Sequence, residues 1–136
     1  MTFLLNLITA AVLYGTPLLY GTSGEILTEK SGNLNLGVEG MMSIGACAGF
    51  MVGYQTDNFV AALLAAAVAG MLSALIYGVL TVTFMANQNV TGLTLTIFGV
   101  GLANFIGVFM LEKSENGTLK LPDAVTAQMR NIHILG

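Results

Sequence analysis

The side chains that could do chemistry in this sequence form no arrangement typical of an enzyme. The 136 residues contain no phosphate-binding loop, no Ser-His-Asp set and no cluster of metal-ligating residues, and the single His133 lies near the C-terminus. The run GVGLAN at 99–104 begins like a dinucleotide-binding fingerprint but lacks its third glycine. We therefore predict a protein that is not an enzyme, with no catalytic residue, no metal site and no cofactor.

Glu39 is the only carboxylate inside a predicted membrane span. An ionised carboxylate near the middle of a bilayer costs several kcal/mol. If Asn33 or Asn35 caps the following helix, Glu39 lies in or just after its first turn, near the positive end of the helix dipole. The Glu39 carboxylate then either accepts hydrogen bonds from the backbone and from interfacial water, or lies on a path that carries a solute or couples conformational changes.

Further amides surround the last apolar run. Asn87, Gln88 and Asn89 precede it, and Asn87 and Asn89 are suited to capping a helix. Asn104 lies more than half-way through an uncharged span, so it must find a partner on another helix or face a wet cavity.

The composition indicates a membrane protein. Hydrophobic residues make up 55% of the chain and charged residues 8%, whereas about a quarter of the residues in a soluble domain are charged. The net charge of −3 and four scattered cations give no support to nucleic-acid binding. Cys47 excludes an internal disulfide and is expected to pack as a small hydrophobe. Residues 1–20 contain no Lys or Arg, so we interpret them as a retained span rather than a signal peptide.

Four apolar runs predict an all-α, polytopic transmembrane helix bundle. Runs of this length reach about 30 Å at ~1.5 Å per residue, and a backbone in lipid must satisfy its own hydrogen bonds, so they are helices. The spans are predicted near 3–20 (continuing as helix towards Thr28), 36–54, 59–80 and 90–111. Residues 1–111 thus form the transmembrane domain and 112–136 a polar loop or tail. The polar turn QTDN (55–58) predicts an antiparallel hairpin, and TVTFMANQ (81–88) is uncharged.

Small residues recur every four positions on three of the runs. Such stripes let helix backbones approach closely, and in membranes this packing drives association. The predicted packing positions are Gly45, Gly49, Gly53, Ala66, Gly70, Ala74, Gly78, Gly99, Ala103 and Gly107.

The stretch GEILTEKSGNLNLGVEGMMSIGA (24–46) interrupts the apolar pattern. Gly24, Ser31, Gly32, Asn33 and Gly37 resist continuous helix, and apolar helix resumes at once. A break beside membrane spans is where transporters expose helix ends and carbonyls to polar solutes. A simple interfacial loop before a capped helix is the alternative.

The same stretch resembles the region after the first span in inner-membrane permeases of ABC importers, in the branch for nucleosides and simple sugars. The family pattern G-E-x-x-x-E-x-(S/R)-G-x-x-N-(L/I)-G-(V/I)-E-G-M is matched by Gly24, Glu25, Glu29, Ser31, Gly32, Asn35, Leu36, Gly37, Val38, Glu39, Gly40 and Met41. The run NQNVTGLTLTIFGVGLANFIG (87–107) resembles a later span of the family, with Thr96 where an Asn or a small residue is expected. The similarity covers nearly the whole chain.

The resemblance implies the N-terminal part of a multi-pass permease in a bacterial-type plasma membrane, working by alternating access. It implies as partners ABC ATPase subunits that hydrolyse ATP, an extracytoplasmic solute-binding protein, a second permease subunit, a small polar solute and the lipid bilayer. For the solute path or its gate we predict the polar residues Asn33, Asn35, Glu39, Asn87, Gln88 and Asn104.

Orientation and two rival functions stay open in the sequence. Three of the four Lys and Arg residues lie in the tail, which favours a cytoplasmic tail, whereas the resemblance implies an extracytoplasmic tail with Lys30 inside. The rival functions are a small self-assembling transporter or channel and a non-transporting membrane scaffold. Neither of them requires the polar interruption.

Overall fold

The structure, a computed structural model, describes residues 2–113 and 123–130, and within them it contains helices and no strand. The elements, in chain order, are α1 (Thr2–Lys30), α2 (Val38–Thr56), α3 (Phe59–Gly78), a π-helical turn (Val79–Thr83), α4 (Gln88–Lys113) and α5 (Asp123–Arg130). The prediction of an all-α fold is confirmed.

Helix α2 lies at the centre, with α3 and α4 packed against it. A two-residue connection reverses the chain between α2 and α3. Asp57 has a left-handed backbone (φ 53°) and donates its N–H to the Gly53 carbonyl, and the Asn58 carboxamide oxygen accepts the Val60 N–H at 2.9 Å. This turn makes α2 and α3 the antiparallel hairpin that QTDN predicts.

The distribution of side chains is inverted relative to a soluble protein. Large apolar side chains cover the outside of α1, α3 and α4, as Leu64 (60% exposed) and Phe105 (71%) illustrate. The buried positions of α2 are mostly glycines, and the buried polar residues are Asn35, Ser73 and Thr81. An apolar exterior needs lipid around it, since water gives it no favourable contact.

Three of the described helices are long and apolar enough to cross a membrane, namely those at Phe3–Lys30, Phe59–Thr83 and Gln88–Glu112. Helix α2 is the member of the expected four that falls below this criterion. Its 19 residues include Glu39 and several glycines, which contribute little hydropathy. Because α2 packs against both α3 and α4, it needs less apolar surface of its own.

The glycine stripe of α2 lies against α3. A β-carbon added to Gly49 would lie 2.9 Å from the Ala66 β-carbon, and one added to Gly45 would lie 3.1 Å from the Ala66 carbonyl oxygen. Gly53 is also buried. Gly70 lies on the same seam, with its α-carbon 3.9 Å from the β-position of Gly45. Among the other predicted packing positions in the described chain, Gly78 and Gly107 have open space at their β-positions, Ala74 is exposed and Ala103 is half-buried.

Helix α1 continues without interruption through Pro17 and Gly24 to Lys30. The expectation that Gly24 resists helix is therefore wrong, because a glycine inside a long helix costs only about 1 kcal/mol. Helix α1 approaches α2 near its C-terminal end, where a β-carbon on Gly21 would lie 3.0 Å from the Met42 sulfur. Most of α1 stays exposed.

Part of the predicted polar tail is helical. Helix α4 reaches Lys113, and α5 forms from a short amphipathic segment in which Val125 is 1% exposed. The Gln128 side-chain oxygen accepts the Phe59 N–H at 2.9 Å and so satisfies a free donor at the start of α3. Residues 114–122 and 131–136, including His133, lie outside the described residues.

Candidate functional site

The interruption between α1 and α2 begins with a left-handed glycine. Gly32 has φ +86°, which turns the chain so that the N–H groups of Gly32 and Asn33 bond back to the carbonyls of Glu29 and Thr28. These bonds satisfy carbonyls that a helix end leaves free. Helix α1 therefore ends at Lys30, and seven residues, 31–37, separate it from α2.

The main-chain groups after this turn are held by side chains from three other helical elements. Gln88 of α4 accepts the Leu34 N–H at 2.8 Å, and Glu25 of α1 accepts the Asn35 N–H at 2.8 Å. Two hydroxyl groups donate to carbonyl oxygens, Tyr77 of α3 to Leu34 at 2.7 Å and Thr96 of α4 to Leu36 at 2.8 Å. We call residues 31–37 with these four side chains the polar junction.

Such bonds are what non-helical backbone requires at membrane depth. Without water, each free N–H or C=O costs several kcal/mol, so irregular backbone in membranes lies where protein or a cavity satisfies it. The polar junction meets this condition, since four side chains bond to main-chain groups of three consecutive residues, 34–36.

Asn35 lies at the centre of the polar junction and is 7% exposed. Its side-chain oxygen accepts the Gly37 N–H at 2.9 Å, and its amide nitrogen lies 3.7 Å from the Met41 sulfur. The N-cap of α2 is Gly37, which makes no side-chain cap. The hypothesis that Asn33 or Asn35 caps α2 is therefore wrong: Asn35 instead closes a local turn just before the helix.

Glycines allow α2 and α4 to touch beside the polar junction. A β-carbon on Gly40 would overlap the Leu95 carbonyl oxygen, and one on Gly99 would lie 2.5 Å from the Gly40 oxygen. At Gly92 it would lie 2.9 Å from the Leu36 and Gly37 nitrogens. The backbones meet here with no side chain between them, which fixes α4 against the start of α2.

A groove of about 730 Å³ lies between α1 and the start of α2. Its apolar wall includes Leu18 and Met42. Its polar lining comprises Thr22, Glu25, Glu29, Asn35, Glu39 and Ser43. Oxygen acceptors and hydroxyl groups beside an apolar wall suit a solute that combines hydroxyl groups with a flat or apolar face.

Comparison with known proteins decides the family. The family model described as "Branched-chain amino acid transport system / permease component" matches residues 4–131. The chain belongs to this permease family. It is a multi-pass membrane protein and a transport component, as the resemblance in the sequence implies.

Three curated relatives of the chain are named as sugar or nucleoside permeases. It is 38% identical over 117 residues to a putative glucose ABC transporter permease protein of Haloferax volcanii, which covers 86% of the chain and 36% of that relative. It is 32% identical over 123 residues to a guanosine ABC transporter permease protein of Bacillus subtilis, a match that covers 86% of the chain and 38% of that relative. It is 31% identical over 115 residues to a nucleoside ABC transporter permease protein of Lactococcus lactis, a match that covers 79% of the chain and 35% of that relative.

The chain thus spans a little over a third of the length of these relatives, from 35% to 38%. No solved structure gives a significant match.

The structure brings three of the six predicted path residues of the permease together. Asn33, Asn35 and Gln88 meet at the polar junction, where the Gln88 amide donates to the Asn33 side-chain oxygen at 2.9 Å. Glu39 lies beside them in the first turn of α2, exposed to the groove, and its carboxylate accepts no hydrogen bond from the described residues.

The other two predicted residues lie apart from this contact. The Asn87 side-chain oxygen accepts the N–H groups of Asn89 and Val90 at 3.1 and 3.2 Å, which is the capping role that its position suggests. Asn104 is exposed on α4, and its amide makes no hydrogen bond within residues 2–113 or 123–130. Within the described residues Asn104 therefore has no partner on another helix, and its role stays a prediction.

Three members of the polar junction were not predicted as site residues: Glu25, Tyr77 and Thr96. A signal for Tyr77 exists in the sequence. Ser73 and Tyr77 on α3 and Thr81 in the π-helical turn follow one another at intervals of four and are 4%, 5% and 7% exposed. Positions four apart share one face of a helix, so a polar stripe on an uncharged span indicates the side that faces protein.

Proposed function

We propose that this chain forms part of the solute path in the membrane permease of an ATP-driven importer for nucleosides or simple sugars. Family membership and the names of three relatives, one each for glucose, guanosine and nucleosides, support this function. The resemblance of GEILTEKSGNLNLGVEGM to the nucleoside and sugar branch supports it further.

The observation that carries the proposal is the polar junction and the groove beside it. The junction concentrates amide, carboxylate and hydroxyl groups among helices whose outer faces are apolar. Polar residues at membrane depth are costly and usually serve a pathway or a partner. Nucleosides and sugars carry hydroxyl groups that can replace their hydrogen bonds to water with hydrogen bonds to such acceptors. The wall formed by Leu18 and Met42 suits the apolar face of a ring.

Packing suggests which parts move during transport. Helices α3 and α4 each pack extensively against α2, whereas α1 meets α2 only near its C-terminal end. We propose that α2, α3 and α4 move together and that α1 moves relative to them, opening and closing the groove. ATP hydrolysis belongs to separate ATPase subunits, and a solute-binding protein and a second permease subunit complete the assembly.

Uptake measurements test this function. The chain is produced in cells that lack nucleoside and glucose uptake, together with its ATPase, binding protein and remaining permease segments. We expect uptake of labelled guanosine or glucose that depends on this chain and on ATP. Transport by the chain alone in vesicles, without ATP, would instead support a self-sufficient transporter.

A matched pair of variants distinguishes an effect on the solute path from an effect on folding and insertion. Glu39→Ala removes a groove carboxylate that accepts no hydrogen bond from residues 2–113 or 123–130, and Glu112→Ala removes an exposed carboxylate at the far end of α4. We expect Glu39→Ala to impair uptake while both variants insert normally. Wild-type uptake by a well-inserted Glu39→Ala variant would contradict the role of the groove.

A further inference from the structure

The connection between α3 and α4 presents apolar side chains outward. Val82 is 63% exposed, Phe84 72% and Met85 87%. We call residues 82–86 the apolar loop. Loops in contact with water seldom present their largest apolar side chains together, since each exposed apolar surface orders water at a cost in free energy.

The apolar loop also lies in a long uncharged region. No charged residue occurs between Asp57 and Glu112 in the sequence. The two other connections in this part of the chain differ, because the α2–α3 turn contains Asp57 and the α1–α2 connection follows Glu29 and Lys30. Immersing the α3–α4 connection in a membrane therefore brings no ionised side chain with it.

Two N–H groups of the apolar loop bond to carbonyls of the π-helical turn just before it. The π-helical turn lets the Phe84 N–H reach the Val79 carbonyl at 3.1 Å, and the Ala86 N–H reaches the Leu80 carbonyl at 3.0 Å. The Thr81 hydroxyl donates to the Tyr77 carbonyl at 2.9 Å. Lipid requires such internal bonds, whereas water would make them unnecessary.

The exposed side chains of the loop continue those of the adjoining helices. Leu75 on α3 and Val79 in the π-helical turn are 63% and 40% exposed, and Val90 and Leu93 on α4 are 62% and 53% exposed. We propose that the apolar loop lies within the bilayer, at the boundary between headgroups and acyl chains, with lipid acyl chains as its partner. The proposal rests on the exposure of these side chains and on the hydrogen bonds of the loop, and not on which solute is transported.

One consequence concerns the polar junction. Tyr77 and Gln88, which hold Leu34, flank the apolar loop on its two sides. If the loop is immersed, the polar junction lies below the membrane surface rather than in bulk water. A solute would then reach it only through protein.

Fluorescence quenching in vesicles tests the position of the loop. The single Cys47 is first replaced by alanine, and one cysteine is introduced as Met85→Cys or, for comparison, as Asp57→Cys. The two positions are matched because both are exposed and both have a left-handed backbone, with φ 52° and 53°. Each variant of the full chain is labelled with bimane in vesicles of phosphatidylcholine and phosphatidylglycerol.

Two quenchers distinguish lipid from water. We expect a nitroxide on the acyl chain of phosphatidylcholine to quench the label at position 85 severalfold more than at position 57. Aqueous iodide should show the opposite order. Strong iodide quenching at position 85 would overturn the proposal, and so would protection from both quenchers, which indicates a protein or a second copy over the loop. If Met85→Cys does not insert, Phe84→Cys, also highly exposed, serves the same comparison.

Discussion

The hydroxyl of Tyr77 donates a 2.7 Å hydrogen bond to the main-chain carbonyl of Leu34, a residue 43 positions earlier in the chain. Tyr77 belongs to α3 and Leu34 to the non-helical segment before α2. The bond therefore joins the polar junction to a helix that is distant from it along the chain. It satisfies a carbonyl that lipid would leave without a partner.

Removing this hydroxyl should loosen the polar junction. Tyr77→Phe keeps the buried ring but leaves the Leu34 carbonyl without its donor, which costs about 1–3 kcal/mol. We expect a loss of this size in the free energy of unfolding, measured by titration with a denaturing detergent. Tyr54→Phe is the control, since Tyr54 is 40% exposed. Equal stability of the two variants would show that the bond is unimportant.

Gln88 contacts the junction through both ends of its amide, accepting from the Leu34 N–H and donating to Asn33. Gln88→Leu removes both contacts, whereas Gln88→Glu keeps an acceptor for the N–H. We expect hydrogen exchange at the Leu34 amide to speed up severalfold in Gln88→Leu, since a typical protein hydrogen bond contributes about 0.5–1.5 kcal/mol to stability, and less in Gln88→Glu. The neighbouring Asn89→Leu should leave exchange unchanged, and equal exchange in both Gln88 variants would be evidence against the acceptor role.

The glycine crossing of α2 and α4 predicts a sharp contrast within one helix. Gly99→Ala places a β-carbon 2.5 Å from the Gly40 oxygen, whereas Gly101→Ala meets nothing within 4 Å. Because backbone must move to accept the first methyl group, Gly99→Ala should lose about 1–3 kcal/mol or more. Gly101→Ala should be neutral. Thermal unfolding in detergent measures both, and similar melting temperatures would exclude the close approach.

Two asparagines in the chain should respond in opposite ways to leucine. Asn35 is 7% exposed and holds the Gly37 N–H, so Asn35→Leu should destabilise the chain by about 1–3 kcal/mol. Asn104 is exposed and holds no hydrogen bond within the described residues, so Asn104→Leu should leave its stability unchanged. Detergent titration of both variants gives the comparison. Equal effects would mean that burial does not distinguish these amides.

The helices could be predicted from the sequence because lipid leaves the backbone few alternatives. Uncharged runs such as 59–80 and 90–111 are too long and apolar for any other structure. The helix ends were less predictable. Gly24 lies inside α1, because the cost of one glycine is smaller than the stability of the helical turns around it. Helix α5 is a short amphipathic helix whose Gln128 side chain bonds to the Phe59 N–H, a contact that the sequence does not reveal.

The site was predictable in part, for a reason of distance along the chain. Asn33 and Asn35 stand out because they interrupt an apolar pattern within a few residues. Tyr77 and Thr96 bond to main-chain groups 43 and 60 positions away, and only the fold brings those groups together. Asn104 shows the reverse, since a polar residue in an apolar span predicts a partner that the described part of this chain does not supply.

Labelling at position 39 tests the central claim, that the groove beside the polar junction is part of a solute path. A single cysteine is introduced as Glu39→Cys in the Cys47→Ala background, within the complete transporter. Glu39 is exposed to the groove and its carboxylate holds no hydrogen bond within the described residues, so the change should not disturb the fold. We expect a hydrophilic thiol reagent to label this cysteine and saturating guanosine or glucose to slow the labelling severalfold. Labelling at the same rate with and without either solute, or no labelling at all, would contradict the account.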